Sequence, residues 1–357
     1  MMARTVDGRL AYADLLRVLA SIAVIVLHIS ASQFRQTAIG STEWTVLCTY
    51  DSLMRWCVPM FVMLSGAFLL DPKKSVRLRD IFLKYILRVL VALLVWGVFY
   101  ALLDYGHSGW HFTWAGIKSA LGYVLRAQTR YHLWFLYMII GLYLVTPILR
   151  AFVRGASRGT FHWFFVLTFM VYSVLPTLQA LWPDRLALPM AWVNKFDIHL
   201  VLGYVGYYVA GYYLKNYTLG RLAEFIIYIL GILGAVATVW GTTALSVRAG
   251  AFNETLFEYR SPNVACMAVA IFVLFRYVLG VSDERSRRQR LGGISKITFG
   301  IYLVHMFFIT LLQHFGITTL SFNPILSVPV LSAVVFLCSF AVSWLISKIP
   351  LLGRYLV

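Results

Sequence analysis

Ten stretches of the chain are apolar over roughly 20 residues, the length an α-helix needs to cross the hydrocarbon core of a bilayer, and short polar runs separate them. They cover 11–31, 52–70, 81–104, 131–150, 161–180, 197–214, 222–246, 262–281, 297–315 and 325–348. The stretch 108–126, with Trp110, Trp114, Lys118 and Arg126, is too polar to cross and is expected to lie along the interface. No internal repeat and no Pro-rich or low-complexity linker divides the chain. The pattern predicts an all-α, polytopic membrane helix bundle of about ten transmembrane helices, folded as one domain over 1–357.

Composition narrows the class further. Hydrophobic residues make up 61% of the chain and charged ones 13%, so no soluble catalytic domain is hidden among the helices. A net charge of +17 raises the question of nucleic acid, but the basic residues sit in short clusters between apolar segments rather than in a basic tail or a known binding module. Membrane topology explains them instead. Clusters at Arg4 and Arg9, Lys73 to Arg79, Arg150 to Arg158 and Arg285 to Lys296 all fall on the side of the N-terminus, which places both termini in the cytoplasm. The first apolar run is too long for a removable signal and carries Asp14 and Arg17, so it reads as a retained span. Cys48, Cys57, Cys266 and Cys338 lack paired or metal-ligand spacing and read as packing residues. Asp197 and His199 lack a third ligand nearby, and no metal site is expected.

That first span is where polar chemistry enters the bilayer. At about 100° per residue, Asp14, Arg17, Ser21 and His28 fall within roughly 60° of one another, so one wall of the helix is polar from end to end. Arg17 lies toward the cytoplasmic end, and His28 stands about 16 Å further out. Either residue alone has a plain structural reading: Arg17 snorkelling to headgroups with Asp14 as its i,i+3 partner, His28 bonded to a neighbouring helix. A whole polar stripe in hydrocarbon needs a lined cavity.

Four elements spread over positions 14 to 305 resemble bacterial integral-membrane acyltransferase family 3. Asp14-x-Leu16-Arg17 followed by ten residues and His28 is similar to that family's Arg-x10-His signature. Arg55-Trp-Cys-Val-Pro59 leading to Ser65-Gly66 resembles its second element, Tyr131-His132-Leu133-Trp134-Phe135 its His-Leu-Trp-Phe segment, and Gly300-Ile-Tyr302-Leu-Val-His305 its closing motif. The arrangement looks closest to the branch that includes the enterobacterial common antigen O-acetyltransferase, although Leu15 and Ala67 differ from many members.

The resemblance implies transfer of an acyl group, usually acetyl from acetyl-CoA, onto a hydroxyl of a cell-surface polysaccharide or its lipid-linked precursor, in the bacterial inner membrane. Acetyl-CoA enters as donor substrate, and no permanently bound cofactor is implied. A near-neutral imidazole suits removal of a proton from a sugar hydroxyl, which assigns His28 as general base; an acyl-imidazole on His28 is the other route. Arg17 is assigned to the donor, with Asp14 beside it. Arg55, one turn inside the outer end of its span with Asp51 at i−4, reads either as a snorkelling ion pair or as an acceptor or oxyanion contact. His132 and Trp134 read as acceptor contacts or as interface anchors, and His305 as a buried hydrogen-bonding residue. The competing function is a transporter of a glycan or of the acyl group, in which the same polar stripe forms a substrate or proton path.

Overall fold

The structure, a computed structural model, describes residues 10–105, 113–185, 203–279 and 291–357. All its regular elements are helices, and the described residues contain no strand. In chain order they are α1 (Ala11–Phe34), α2 (Thr42–Met54), α3 (Cys57–Leu69), α4 (Leu78–Asp104), α5 (Trp114–Leu125), α6 (Trp134–Gly155) and α7 (Arg158–Leu181). The second half adds α8 (Val205–Asn216), α9 (Arg221–Ala249), α10 (Pro262–Tyr277), α11 (Leu291–Lys296), α12 (Thr298–His314), α13 (Pro324–Ser347) and α14 (Pro350–Leu356).

Seven segments are long and apolar enough to cross a bilayer, with α2 and α3 counted together, and α10 and α12 are shorter apolar helices. The chain is a multi-pass, all-helical membrane bundle. The expected span 197–214 lies partly outside the described residues, as do Asp197, His199 and the start of the expected interfacial stretch 108–126. What is described of that stretch, α5, has 12 residues, about 18 Å of helix and too short to span. The interior is apolar and so is much of the surface, unlike a water-soluble domain. Phe225, Ile229 and Leu233 of α9 and Leu337 and Leu345 of α13 stay exposed, the surface that lipid tails cover.

The hub is α1, which touches α2, α3, α10, α11, α12 and α13. Its buried Ala13, Ala20, Ala23 and Ser30 are small, so neighbouring backbones come close, while Leu16, Val24 and Leu27 fill the space between. Ser30 Oγ donates to the carbonyl of Val26, keeping its hydroxyl satisfied inside the helix. Helix starts carry ordinary signals. Ser41, Thr113, Ser157 and Asn323 cap α2, α5, α7 and α13 with their side-chain oxygens, and Pro262 and Pro324 occupy first-turn positions where no N–H is needed.

The second span differs from its expected form. It runs over Thr42–Leu69, longer than 52–70, and breaks at Arg55 and Trp56 between α2 and α3. Pro59 favours the break, since it cannot donate to the Arg55 carbonyl and its ring crowds that carbonyl, although Pro147 and Pro329 lie inside unbroken helices. Arg55 therefore lies at a mid-span break and not one turn from the outer end. Below the break, α3 and α8 touch through their main chains. A β-carbon on Gly66 falls 1.8 Å from the Tyr208 carbonyl oxygen, and one on Gly211 falls 1.8 Å from that of Met63, so only glycine permits this contact.

Candidate active site

Two of the four residues of the polar stripe on α1, Arg17 and His28, reach a cavity, while Asp14 and Ser21 do not line it. A space of about 780 Å³ is lined by Arg17 and His28 from α1, and by His132 and Trp134 at the start of α6. Phe61 and Ser65 of α3, Tyr143 of α6 and Tyr302 of α12 complete its middle. The volume suits a substantial organic ligand. A second cavity of about 300 Å³, almost wholly apolar, lies among α7, α8, α9 and α10, and none of the seven candidate residues lines it.

At one end of the larger cavity, three histidines from three helices meet. The His28 ring stacks on that of His305 at 5.1 Å, and His305 meets His132 edge-on at 5.7 Å. His305 is fully buried, and its Nδ1 is 2.5 Å from the Tyr302 carbonyl one turn back. A carbonyl only accepts, so that nitrogen carries the proton and the ring is fixed in one tautomer. His305 does not line the cavity; it backs His28. Tyr131 also meets His28, edge-on with ring centroids 5.4 Å apart and Oη 3.4 Å from Nδ1.

His132 is buried too, which removes the interface-anchor reading. Its carbonyl accepts from Tyr302 Oη, and its ring packs edge-on against Tyr100 at 4.9 Å. Both ring nitrogens lack a hydrogen-bond partner among the described residues. A buried imidazole left in that state is costly unless something else bonds it. Because His132 lines the cavity, that something is available from within it. No group of three His, Cys, Asp or Glu among the described residues is arranged to hold a metal.

At the other end, Arg17 is held at 3.0 Å by Asp14, whose Oδ1 also accepts from Ser295 Oγ at 2.7 Å. The guanidinium lies 4.8 Å from the Phe68 ring centroid. Asp14 is buried and absent from the cavity wall, so its contact with Arg17 is one of support.

Arg55 does not snorkel. It pairs with buried Asp51 at 2.9 Å and lies flat on Phe257 at 3.4 Å, with Tyr259 at 5.2 Å. It lines none of the cavity, but the Tyr259 ring beneath it does. Burial pushes the Tyr259 phenol above its ordinary value despite the neighbouring Arg55, so it stays a hydrogen-bond donor at neutral pH. Trp134 stacks on the same Tyr259 ring at 5.8 Å, forming an aromatic wall.

The structure thus gathers Arg17, His28, His132 and Trp134 on one cavity and sets Asp14, Arg55 and His305 behind it. Tyr131 and Tyr259 were not singled out as candidates by the sequence. Tyr131 carried a faint signal as the neighbour of His132, whereas Tyr259 lies in a connection with no periodicity to mark it. With that geometry in place, the comparison with known proteins is decisive: the family described as acyltransferase domain, acyltransferase family 3, matches residues 10–347. The chain belongs to this family. No curated protein and no solved structure matches it. The cavity described above is then the candidate active site of a membrane acyltransferase, and its two polar ends, Arg17 and the histidine cluster, are the ends of that family's Arg-x10-His element as it stands in this chain.

Proposed function

We propose that this acyltransferase moves an acetyl group from acetyl-CoA to a hydroxyl of a cell-envelope glycan, or of its lipid-linked precursor, in the bacterial inner membrane. One observation supports the reading above all. Arg17 and His28, about 16 Å apart along one helix, border a single continuous space. An anionic donor held at Arg17 can extend its pantetheine arm along that space and present the thioester at His28.

In the proposed reaction, His28 Nδ1–H faces Tyr131 Oη, which leaves the Nε2 lone pair to take the acceptor's hydroxyl proton. The acceptor oxygen attacks the thioester carbonyl, and the oxygen of the tetrahedral intermediate takes the negative charge. We assign His132 to that oxygen, since its ring nitrogens have no described protein partner. Collapse breaks the C–S bond, and the leaving thiolate recovers the proton from His28. The acceptor sugar is assigned to the Trp134 and Tyr259 wall, because a flat aromatic face packs well against the C–H face of a pyranose. The O-acetyltransferase branch is the part of the family this reading fits.

The test is purified full-length protein in nanodiscs given radiolabelled acetyl-CoA and an envelope-glycan acceptor. Release of CoA matched by label on the acceptor is the expected result. CoA release with label on the protein after acid quench indicates an acyl-His28 route. Neither product, with the protein folded, rejects the reading in favour of transport.

A further inference from the structure

The second cavity, of about 300 Å³ among α7, α8, α9 and α10, takes no part in the transfer step, yet it adjoins the acceptor wall. On α8 it follows one face from Gly206 through Ala210 to Leu214, about 12 Å of helix. The hydroxyls of its wall are already committed. Thr168 Oγ1 donates to the Phe164 carbonyl, Ser173 Oγ to that of Arg260 and Tyr207 Oη to that of Tyr259. Tyr213 Oη is 3.0 Å from His162 Nε2. A wall whose polar groups are satisfied elsewhere presents hydrocarbon, and hydrocarbon is what fills it without loss.

Arg260 is the only charged residue lining this groove among the described residues. It is exposed, forms no ion pair among the described residues, and its guanidinium donates to Tyr172 Oη at 3.3 Å, long for a charge-assisted bond. One cation beside an apolar groove matches an amphiphile with an anionic head, and the planar fork of arginine suits phosphate.

Its neighbour in the chain decides which amphiphile. Tyr259 lines the larger cavity while Arg260 lines the groove, and Tyr207 and Ser173 pin their two carbonyls in place. Rings continue the link, from Trp134 to Tyr204 at 5.7 Å and from Tyr204 to Tyr207 at 6.3 Å. A phosphate on Arg260 therefore lies one residue, about 3.8 Å of main chain, from the aromatic wall of the larger cavity.

We propose that the acetyl acceptor is a glycan carried on a lipid phosphate, with its hydrocarbon chain in this groove, its phosphate on Arg260 and its sugars turned over Tyr259 and Trp134 toward His28. This rests on the transfer reading given above and narrows its acceptor to the lipid-linked form.

The binding probe is hexadecyl phosphate, which has the chain and the head but no sugar to acylate. Its retention by the full-length protein in detergent is measured by native mass spectrometry, beside phosphatidylglycerol and hexadecanol, for wild type, Arg260→Gln and Ala210→Leu/Ala265→Leu. The leucines fill the groove from α8 and α10, Arg260 is exposed, and thermal stability checks that each variant folds. Wild type should retain hexadecyl phosphate in preference to phosphatidylglycerol. Each variant should weaken that binding about tenfold or more, Arg260→Gln without weakening hexadecanol. In turnover, each should lower by a similar factor the ratio of kcat/KM for a glycosyl hexadecyl phosphate to that for the methyl glycoside of the same sugar. Unchanged binding and unchanged ratio in both variants overturn the proposal. So does phosphatidylglycerol retained as well as the probe and lost equally in the variants, the mark of a groove for bulk lipid. If the probe binds with this dependence and no acetyl transfer is ever seen, the lipid-phosphate site stands and the transfer reading fails. Transfer to the methyl glycoside with no binding of the probe does the reverse.

Discussion

The imidazole of His28 is held by two neighbours, stacked by His305 at 5.1 Å and met edge-on by Tyr131 at 5.4 Å, so its position is set by rings on two other helices. Such packing separates the role of the ring from the role of its nitrogen. His28→Ala should leave the bundle folded, because His28 borders a cavity and its removal only enlarges that space, and should reduce acetyl transfer by at least about 10²–10⁴-fold, the usual worth of a general base. Turnover with radiolabelled donor checks this, with detergent size-exclusion as the folding control; activity retained within tenfold removes His28 from the reaction. Arg17 offers a different readout. Arg17→Ala should raise the donor KM more than the acceptor KM, and Asp14→Asn should shift the same parameter in the same direction by a smaller factor, since Asp14, itself bonded by Ser295, orients the guanidinium without lining the cavity. A raised acceptor KM with the donor KM unchanged rejects the assignment. Both ends of this arrangement were legible in the sequence, because a charged stripe at helical spacing in an apolar run is a strong signal. The partners were not. Tyr131 reaches His28 from 103 positions away in the chain, and His305 from 277, separations that no local pattern encodes.

Elements carry their own test where α3 crosses α8. The Ser65-Gly66 pair was legible as a motif but not as a contact; only the three-dimensional crossing shows that Gly66 and Gly211 let two backbones touch. Gly66→Ala puts a methyl 1.8 Å from a carbonyl oxygen on a second helix, which neither backbone can yield cheaply. The expected cost is about 3 kcal/mol or more, at or above the usual range for overpacking, seen as a lower Tm or loss of the monodisperse peak in detergent; an unchanged Tm rejects the contact. The loop after α3 makes a second case. Arg150, expected among the loop charges, is buried and donates to the carbonyls of Leu69, Asp71 and Lys74, pinning the chain as it leaves the helix. Beside it, Asp71 pairs with Lys215 at 2.8 Å. Burial alone raises the Asp71 carboxyl, but the Lys215 hydrogen bond and the Lys73 main-chain N–H outweigh it and hold the group below its ordinary value. A depressed carboxyl stabilises the fold above the unfolded value near about 3.9, and that contribution is lost as pH falls through the folded value. Asp71→Asn should therefore lower Tm modestly at neutral pH and flatten its decline in acid. Parallel Tm curves for the two proteins from pH 7 down to acid contradict this.

At the scale of the whole molecule, the fold class and seven of the ten expected spans followed from hydrophobic runs, since a bilayer demands one length from every crossing helix, whereas the expected spans 262–281 and 297–315 are shorter apolar helices among the described residues. What the runs could not convey is how the helices enclose a space. The second span breaks ahead of Pro59, and residues as distant as Arg17, Arg79, Lys296 and Arg354 share one mouth, an assembly set by tertiary packing alone. The cavity gives the molecule a direction. Its cation-rich mouth lies at the Arg17 end and its histidines lie deeper, so a soluble polyanionic donor has one face from which to approach. In proteoliposomes with the protein in a single orientation, acetyl-CoA supplied on the Arg17 side should support transfer, and the same donor on the other side alone should not. The acceptor should show no such requirement for that face if it enters near Trp134 and Tyr259. The measurement is label on the acceptor as a function of the compartment that receives each substrate, with vesicle integrity monitored throughout. On the proposed orientation, the positive clusters at Lys73 to Arg79 and around Lys296 set the mouth on the cytoplasmic side, the side of the proposed acyl-CoA donor. Equal transfer with donor on either side of sealed vesicles means that the 16 Å between Arg17 and His28 is not the donor's path, whatever the roles of the two residues.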